Sequence, residues 1–180
     1  SFPTRRSSDL KDVDTTLRQR ESVRVTDCTM DFWRVEQVFA STEGAYIEQT
    51  RTESGAGITA MAIEGSEVQS RSYPCSLGGD VATAGYEFIE AMDLIGHAER
   101  IAAEAVELLS APVCPSGSRV LILEGSMLAL QVHESCGHPI ELDRVFGTES
   151  SFAGTSFLTT DKLDTFRYGS EIVNITADAT

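Results

Sequence analysis

Histidine is scarce in this chain, with three in 180 residues. Basic side chains are also few, 14 against 28 acidic ones, for a net charge of −14. A surface of that sign repels phosphate, which argues against nucleic acid or an anionic membrane as a partner. The four cysteines, Cys28, Cys75, Cys114 and Cys136, contain no C-x-x-C pair. A zinc ribbon and a dithiol redox motif are therefore absent, and free thiols are expected. No apolar run approaches the roughly 20 residues of a membrane-spanning helix, and no hydrophobic signal core opens the chain, so the expected location is cytoplasmic. Internal repeats and low-complexity tracts are missing too. What remains is a chain with 41% hydrophobic residues, enough for a core and long enough for one domain, or one domain and part of another.

The scarcity of histidine makes its placement informative, because two of the three fall in one hexapeptide, His133-Glu134-Ser135-Cys136-Gly137-His138. Zinc accepts neutral imidazole nitrogens in a roughly tetrahedral shell, and a catalytic site keeps one position for a water that a nearby carboxylate can deprotonate. His133 and His138 are candidate ligands and Glu134 the candidate base. The familiar zinc helix spaces its histidines i and i+4, whereas these stand at i and i+5. At about 100° per residue, a regular helix would point them about 140° apart, so the helix must deform. Gly137 can adopt the left-handed conformation that ends a helix, and Pro139 biases His138 away from the helical region. A wide π-type turn would serve as well. The alternative reading is a polar helix end, with His138 satisfied by a backbone carbonyl and Glu134 solvated.

The motif His133-Glu134-x-x-Gly137-His138-x-x-Glu141-x-Asp143, with Leu128-Ala129-Leu130 before it and Ser151-Phe152-Ala153-Gly154 after it, resembles the TldD/PmbA family of zinc metallopeptidases. The order of Gly85-Tyr86-Glu87 and of the turn at Phe39 to Gly44 extends the likeness over roughly residues 21–180. The resemblance implies a cytosolic peptidase that acts on unfolded or flexible peptides, bound as an added strand inside the cavity of a homodimer, or of a heterodimer with a partner lacking the motif. It also implies a third zinc ligand, a cysteine far downstream of Thr180. Glu141 and Asp143 match family positions, where accepting the second N–H of a metal-bound imidazole is the expected task; the alternative is a solvated helix end. Cys136 is expected to be a packing residue. Two other readings stay open: a non-catalytic interaction subunit that keeps the histidines as core residues, and a zinc exopeptidase like dipeptidyl peptidase III, which would need a glutamate ligand on a following helix.

The chain in order predicts an α+β fold. Residues 1–10 resemble translated adapter sequence and are set aside as a non-native artefact. Residues 11–113 read as an N-terminal α+β domain: Val23 to Phe39 are strand-like, a turn follows at residues 41–44, residues 45–50 return, and a second hairpin joins residues 57–63 to 67–73 through Glu64-Gly65-Ser66. Beyond the breaker segment 74–79 the period lengthens, and Leu94, Ala98, Ile101, Ala105 and Leu108 mark a long helix with Asp93 as N-cap. That helix is expected to cover one face of the antiparallel meander. His97, on the same helix, has no partner four residues away and reads as structural. Residues 114–180 are expected to begin a second, β-rich metallopeptidase domain: a buried strand over residues 119–123, the zinc-binding helix capped by Ser126, and a further strand over residues 171–176.

Overall fold

The computed structural model describes residues 2–176 and falls into two units, Ser1–Arg119 and Val120–Thr180. The first unit is the α+β meander. Helix α1 (Phe2–Leu17) precedes strand β1 (Val23–Ala40), which pairs antiparallel with β2 (Tyr46–Glu64) from Val23↔Ala62 to Ala40↔Tyr46. Of residues 1–10, set aside in the sequence reading, those from Phe2 on lie in α1, and Ser1 is outside the described residues. β2 then turns into β3 (Glu67–Tyr73) at the pair Glu64↔Glu67. Gly65 sits in that two-residue loop at φ +60°, a conformation that costs glycine nothing and other residues strain. A short strand β4 (Asp80–Ala82) pairs with Ser54 to Ala56 of β2, completing a four-stranded sheet.

The strands expected separately at residues 45–50 and 57–63 are one continuous strand of 19 residues. Alternation fails in its middle because Gly57 lies against the 78–79 backbone and Gly55 is paired closely with Val81 of β4. A Cβ on Gly57 would stand 1.9 Å from the Gly78 carbonyl oxygen, and one on Gly55 2.7 Å from a Val81 methyl. The opposite face of β2 carries Ala56, Ile58, Ala60 and Ala62, all buried. Against it pack α2 (Tyr86–Met92) and α3 (Leu94–Leu108), whose buried residues include Ile89, Met92, Ala98, Ile101, Ala102 and Ala105. Alanines on both surfaces let helix and sheet approach closely, and the large side chains Ile58 and Ile101 each contribute about 1.5–3 kcal/mol by leaving water. Val13 and Leu17 of α1 join the same core.

Asp93 caps α3 as expected, its carboxylate accepting the Gly96 amide at 3.2 Å, and its φ of +47° breaks α2 from α3. His97 is structural: its ring lies 4.1 Å from that of Tyr73, and Arg100 bonds its Nδ1 at 3.2 Å.

The second unit is built differently. Helix α4 (Gly125–Val132) leads into a π turn (His133–Gly137), a 3₁₀ turn (His138–Ile140) and helix α5 (Leu142–Phe146). Two expectations are corrected here. Residues 119–123 form no strand, since Val120, Leu121 and Ile122 are 93%, 76% and 90% exposed, and residues 171–176 form none either. Strand composition is not enough: an extended segment needs a neighbour to take its amides and carbonyls, and no described strand lies beside either segment. The N-cap of α4 is Glu124 rather than Ser126. The Glu124 carboxylate accepts the Ser126 amide at 2.9 Å and the Ser126 hydroxyl, and those bonds, the hydroxyl's first, lower its pKa.

Candidate metal centre

Helix α4 delivers His133 at its C-terminal end, where the His133 amide still bonds to Ala129 and Leu130. The chain then widens by one residue. The His138 amide reaches back to the His133 carbonyl, five residues away, which is the bond that defines a π turn. Gly137 remains right-handed (φ −58°, ψ −63°), so of the two deformations that the spacing allowed, the structure adopts the wide turn and makes no use of a left-handed glycine. With the extra residue absorbed, the two imidazoles come together edge to face, their ring centroids 4.4 Å apart at 69°.

One ligand atom from each of His133, Glu134 and His138 lies within 4.8 Å of the others. These are metal-binding residue types at metal-binding separation, and among the described residues they are the only such group. Cys136, in the same turn, is not part of it. The Glu134 carboxylate is exposed, with Oε2 3.9 Å from His138 Nε2.

His138 is oriented from behind. Its Nδ1 lies 2.7 Å from Glu141 Oε1. An ionised carboxylate can only accept, so the contact places a proton on Nδ1; the hydrogen bonds from His138, first, and from Arg144 hold the Glu141 carboxyl below its ordinary pKa. The tautomer follows from that network, and it leaves Nε2 with a free lone pair on the side of Glu134, the form a metal requires. The structure thus brings Glu141 to His138 as its position suggested. Asp143 enters through its backbone carbonyl, which accepts the amides of Gly147 and Thr148 at the end of α5; its carboxylate is outside the metal-binding group.

Arg144 was not anticipated from the sequence. Its Nε donates to Glu141 Oε2 at 2.5 Å and its Nη1 to the Ala153 carbonyl at 2.8 Å, which ties the carboxylate behind His138 to the 151–154 turn. The spacing i, i+3 between Glu141 and Arg144 was the available signal.

An antiparallel meander covered by helices and, in the second unit, a helix whose two histidines and one glutamate converge define an α+β protein with a candidate metal-binding group. A profile of the PmbA/TldA metallopeptidase central domain matches residues 2–111, more than half of the chain, and the chain belongs to that family. The motif lies outside the matched region. A protein named metalloprotease from Methanothermobacter thermautotrophicus is 31% identical over 116 residues, covering 64% of this chain and 24% of that protein. Another so named, from Methanocaldococcus jannaschii, is 30% identical over 146 residues, covering 81% of this chain and 29% of that protein. The chain therefore spans 24–29% of the length of these relatives. No solved structure matches it.

Proposed function

We propose that this chain is the part of a zinc-dependent peptidase that supplies two histidine ligands and the general base for hydrolysing unfolded or flexible peptides. The observation that carries the reading is the convergence of His133, Glu134 and His138 on a single π turn, in a chain whose family is that of metallopeptidases.

The donor set suits zinc: two imidazoles, one of them with its tautomer fixed by Glu141, and an exposed carboxylate beside them. His133 and His138 would hold the zinc, which would supply Lewis acidity toward a peptide carbonyl and a water. Glu134 takes the proton from the attacking water on its carboxylate and returns it to the departing amine, acting as base and then as acid. The third ligand is assigned to a cysteine beyond Thr180. β1 has β2 on one side and no described strand on the other, which supports recognition of an extended peptide through backbone hydrogen bonds, with little dependence on its sequence. Assembly as a homodimer, or with a family member lacking the motif, and a cytoplasmic location belong to the same reading. No helix among the described residues is long and apolar enough to cross a membrane.

The test is Glu134→Gln in the full-length protein. The amide keeps the shape and cannot accept a proton, so stoichiometric zinc should stay while cleavage of an unstructured peptide falls on the order of 10² to 10⁴-fold. His133→Ala and His138→Ala should lose metal and activity together. Parental cleavage by zinc-loaded Glu134→Gln would refute the assignment, and full-length protein that purifies without stoichiometric zinc would favour a non-catalytic interaction subunit.

A further inference from the structure

The π turn leaves a carbonyl to be satisfied. In an α-helix the Ser135 carbonyl would accept the amide of residue 139, but residue 139 is proline and has no N–H. The turn that follows, His138–Ile140, is 3₁₀, so its amides reach back three residues rather than five. The partner comes instead from 33 residues downstream: the Tyr168 hydroxyl donates to the Ser135 carbonyl.

Tyr168 is held for this task by an aromatic stack. Its ring centroid lies 5.5 Å from that of Phe157 and 6.3 Å from that of Phe166, and those two are 6.4 Å apart at a near-perpendicular 71°. Lys162 sits over both phenylalanines, its Nζ 5.7 and 5.2 Å from their centroids, and donates to the Phe157 carbonyl. Offset and tilted aromatic pairs with a cation over their faces favour one arrangement of the segment. The hydroxyl of Tyr168 is thus delivered to the middle of the turn that spaces the two histidines.

We infer that Tyr168 is a positioning residue of the metal centre: by replacing the amide that Pro139 lacks, it holds the Ser135 carbonyl and with it the wide turn that presents His133 and His138 to one ion. This rests on the metal reading above and adds a residue to it. Side-chain insertion into a helical ladder is a recognised cause of local deformation, and the deformation here is the one that the i, i+5 spacing requires.

The experiment uses full-length protein loaded with cobalt(II), whose visible absorption reports the number and symmetry of its ligands. Tyr168→Phe keeps the stacked ring and removes the donor. Cobalt affinity should fall 10–100-fold, the range for partners that orient metal ligands, with a changed visible spectrum and an unchanged melting temperature. Phe166→Leu thins the stack and leaves the hydroxyl, so it should cost less affinity than Tyr168→Phe. If Tyr168→Phe also lowers the melting temperature, 4-aminophenylalanine at position 168 restores a donor at the same place and should recover the affinity. Parental affinity and spectrum in Tyr168→Phe, a larger loss from Phe166→Leu, or no recovery with the amino analogue would each overturn the inference. A parent protein that takes up no cobalt would overturn the metal reading itself.

Discussion

Removing the carboxylate behind His138 should weaken the metal site without touching a ligand. Glu141 accepts the His138 Nδ1 proton at 2.7 Å and is itself fixed by Arg144 at 2.5 Å. Both bonds involve an ionised group, and such bonds are roughly twice as strong as neutral ones. Glu141→Ala frees the ring to rotate and to place its proton on Nε2, the nitrogen that faces Glu134. Loss of a partner of this kind typically costs 10–100-fold in metal affinity. The side chains of Glu141 and His138 are 41% and 28% exposed, so water replaces part of what is lost, and the expected effect lies toward the lower end, about tenfold. Glu141→Gln retains an acceptor oxygen without the charge and should lose less. The assay is competition for zinc against a chromophoric chelator in full-length protein, with the melting temperature followed alongside. Glu141→Ala binding zinc as tightly as the parent would show that the tautomer of His138 is set by something else, and would remove Glu141 from the site.

Three further outcomes are expected. Gly57→Ala drives a methyl to 1.9 Å from the Gly78 carbonyl oxygen and 2.6 Å from Gly79 Cα; these are backbone atoms that cannot swing aside, so a loss of about 1–3 kcal/mol or more should appear in denaturant unfolding of the first unit, and an unchanged midpoint would mean that the 78–79 crossing is not present. Gly137→Ala should leave zinc affinity and stability intact or slightly raised, because the residue is right-handed and its Cβ would meet only His133 Nδ1 at an ordinary 3.9 Å; a loss of more than about 1 kcal/mol in a melting experiment would point to the left-handed alternative. Glu104 bonds Arg71 at 2.6 Å and Arg100 at 2.7 Å, and those two guanidinium groups, Arg71 first, lower its pKa from 4.5. A carboxylate depressed on folding stabilises above its unfolded pKa, and the gain is lost as pH falls through the lowered value. Melting curves of parent and Glu104→Gln should therefore differ at neutral pH and converge in acid, and a gap that persisted in acid would refute the ion-pair account.

The sequence made some elements plain and hid others for identifiable reasons. The β2–β3 hairpin was readable because the two-residue turn holds a glycine at positive φ, and α3 because an aspartate cap and a 3.6-residue stripe from Leu94 to Ala105 agree. The unity of β2 was hidden. Gly55 and Gly57 look like interruptions, but residues 78–82 pack closely against both, a tertiary fact that no local pattern records. Val120 to Ile122 misled in the other direction: β-branched composition signals a strand only where a neighbouring strand exists. At the candidate site, residue types and spacing singled out His133, Glu134 and His138, which the structure brings together, and narrowed the geometry to two deformations without choosing between them. Arg144 and Tyr168 escaped because each acts through another residue, and contact across 33 positions leaves no periodic trace.

The i, i+5 spacing and Pro139 are parts of one arrangement. Two histidines five apart cannot share an ion on a regular helix, and a single π turn absorbs the extra residue. Proline at 139 adds to the break one step later, since the Ser135 carbonyl is denied its α-helical donor just past the second histidine. The same residue stops the helix, so the chain leaves through a 3₁₀ turn and α5, which place Glu141 three residues after His138 and Arg144 three residues after Glu141. The Pro139 carbonyl in turn accepts the Ser156 hydroxyl at 2.7 Å, and the Ser156 amide bonds to the Arg144 carbonyl at 2.9 Å, which returns the loop to the site. The break that brings the two histidines together therefore lies beside the turn that sets the direction in which Glu141 and Arg144 follow. An i, i+4 zinc helix needs no such stop, because its ligands already share a face.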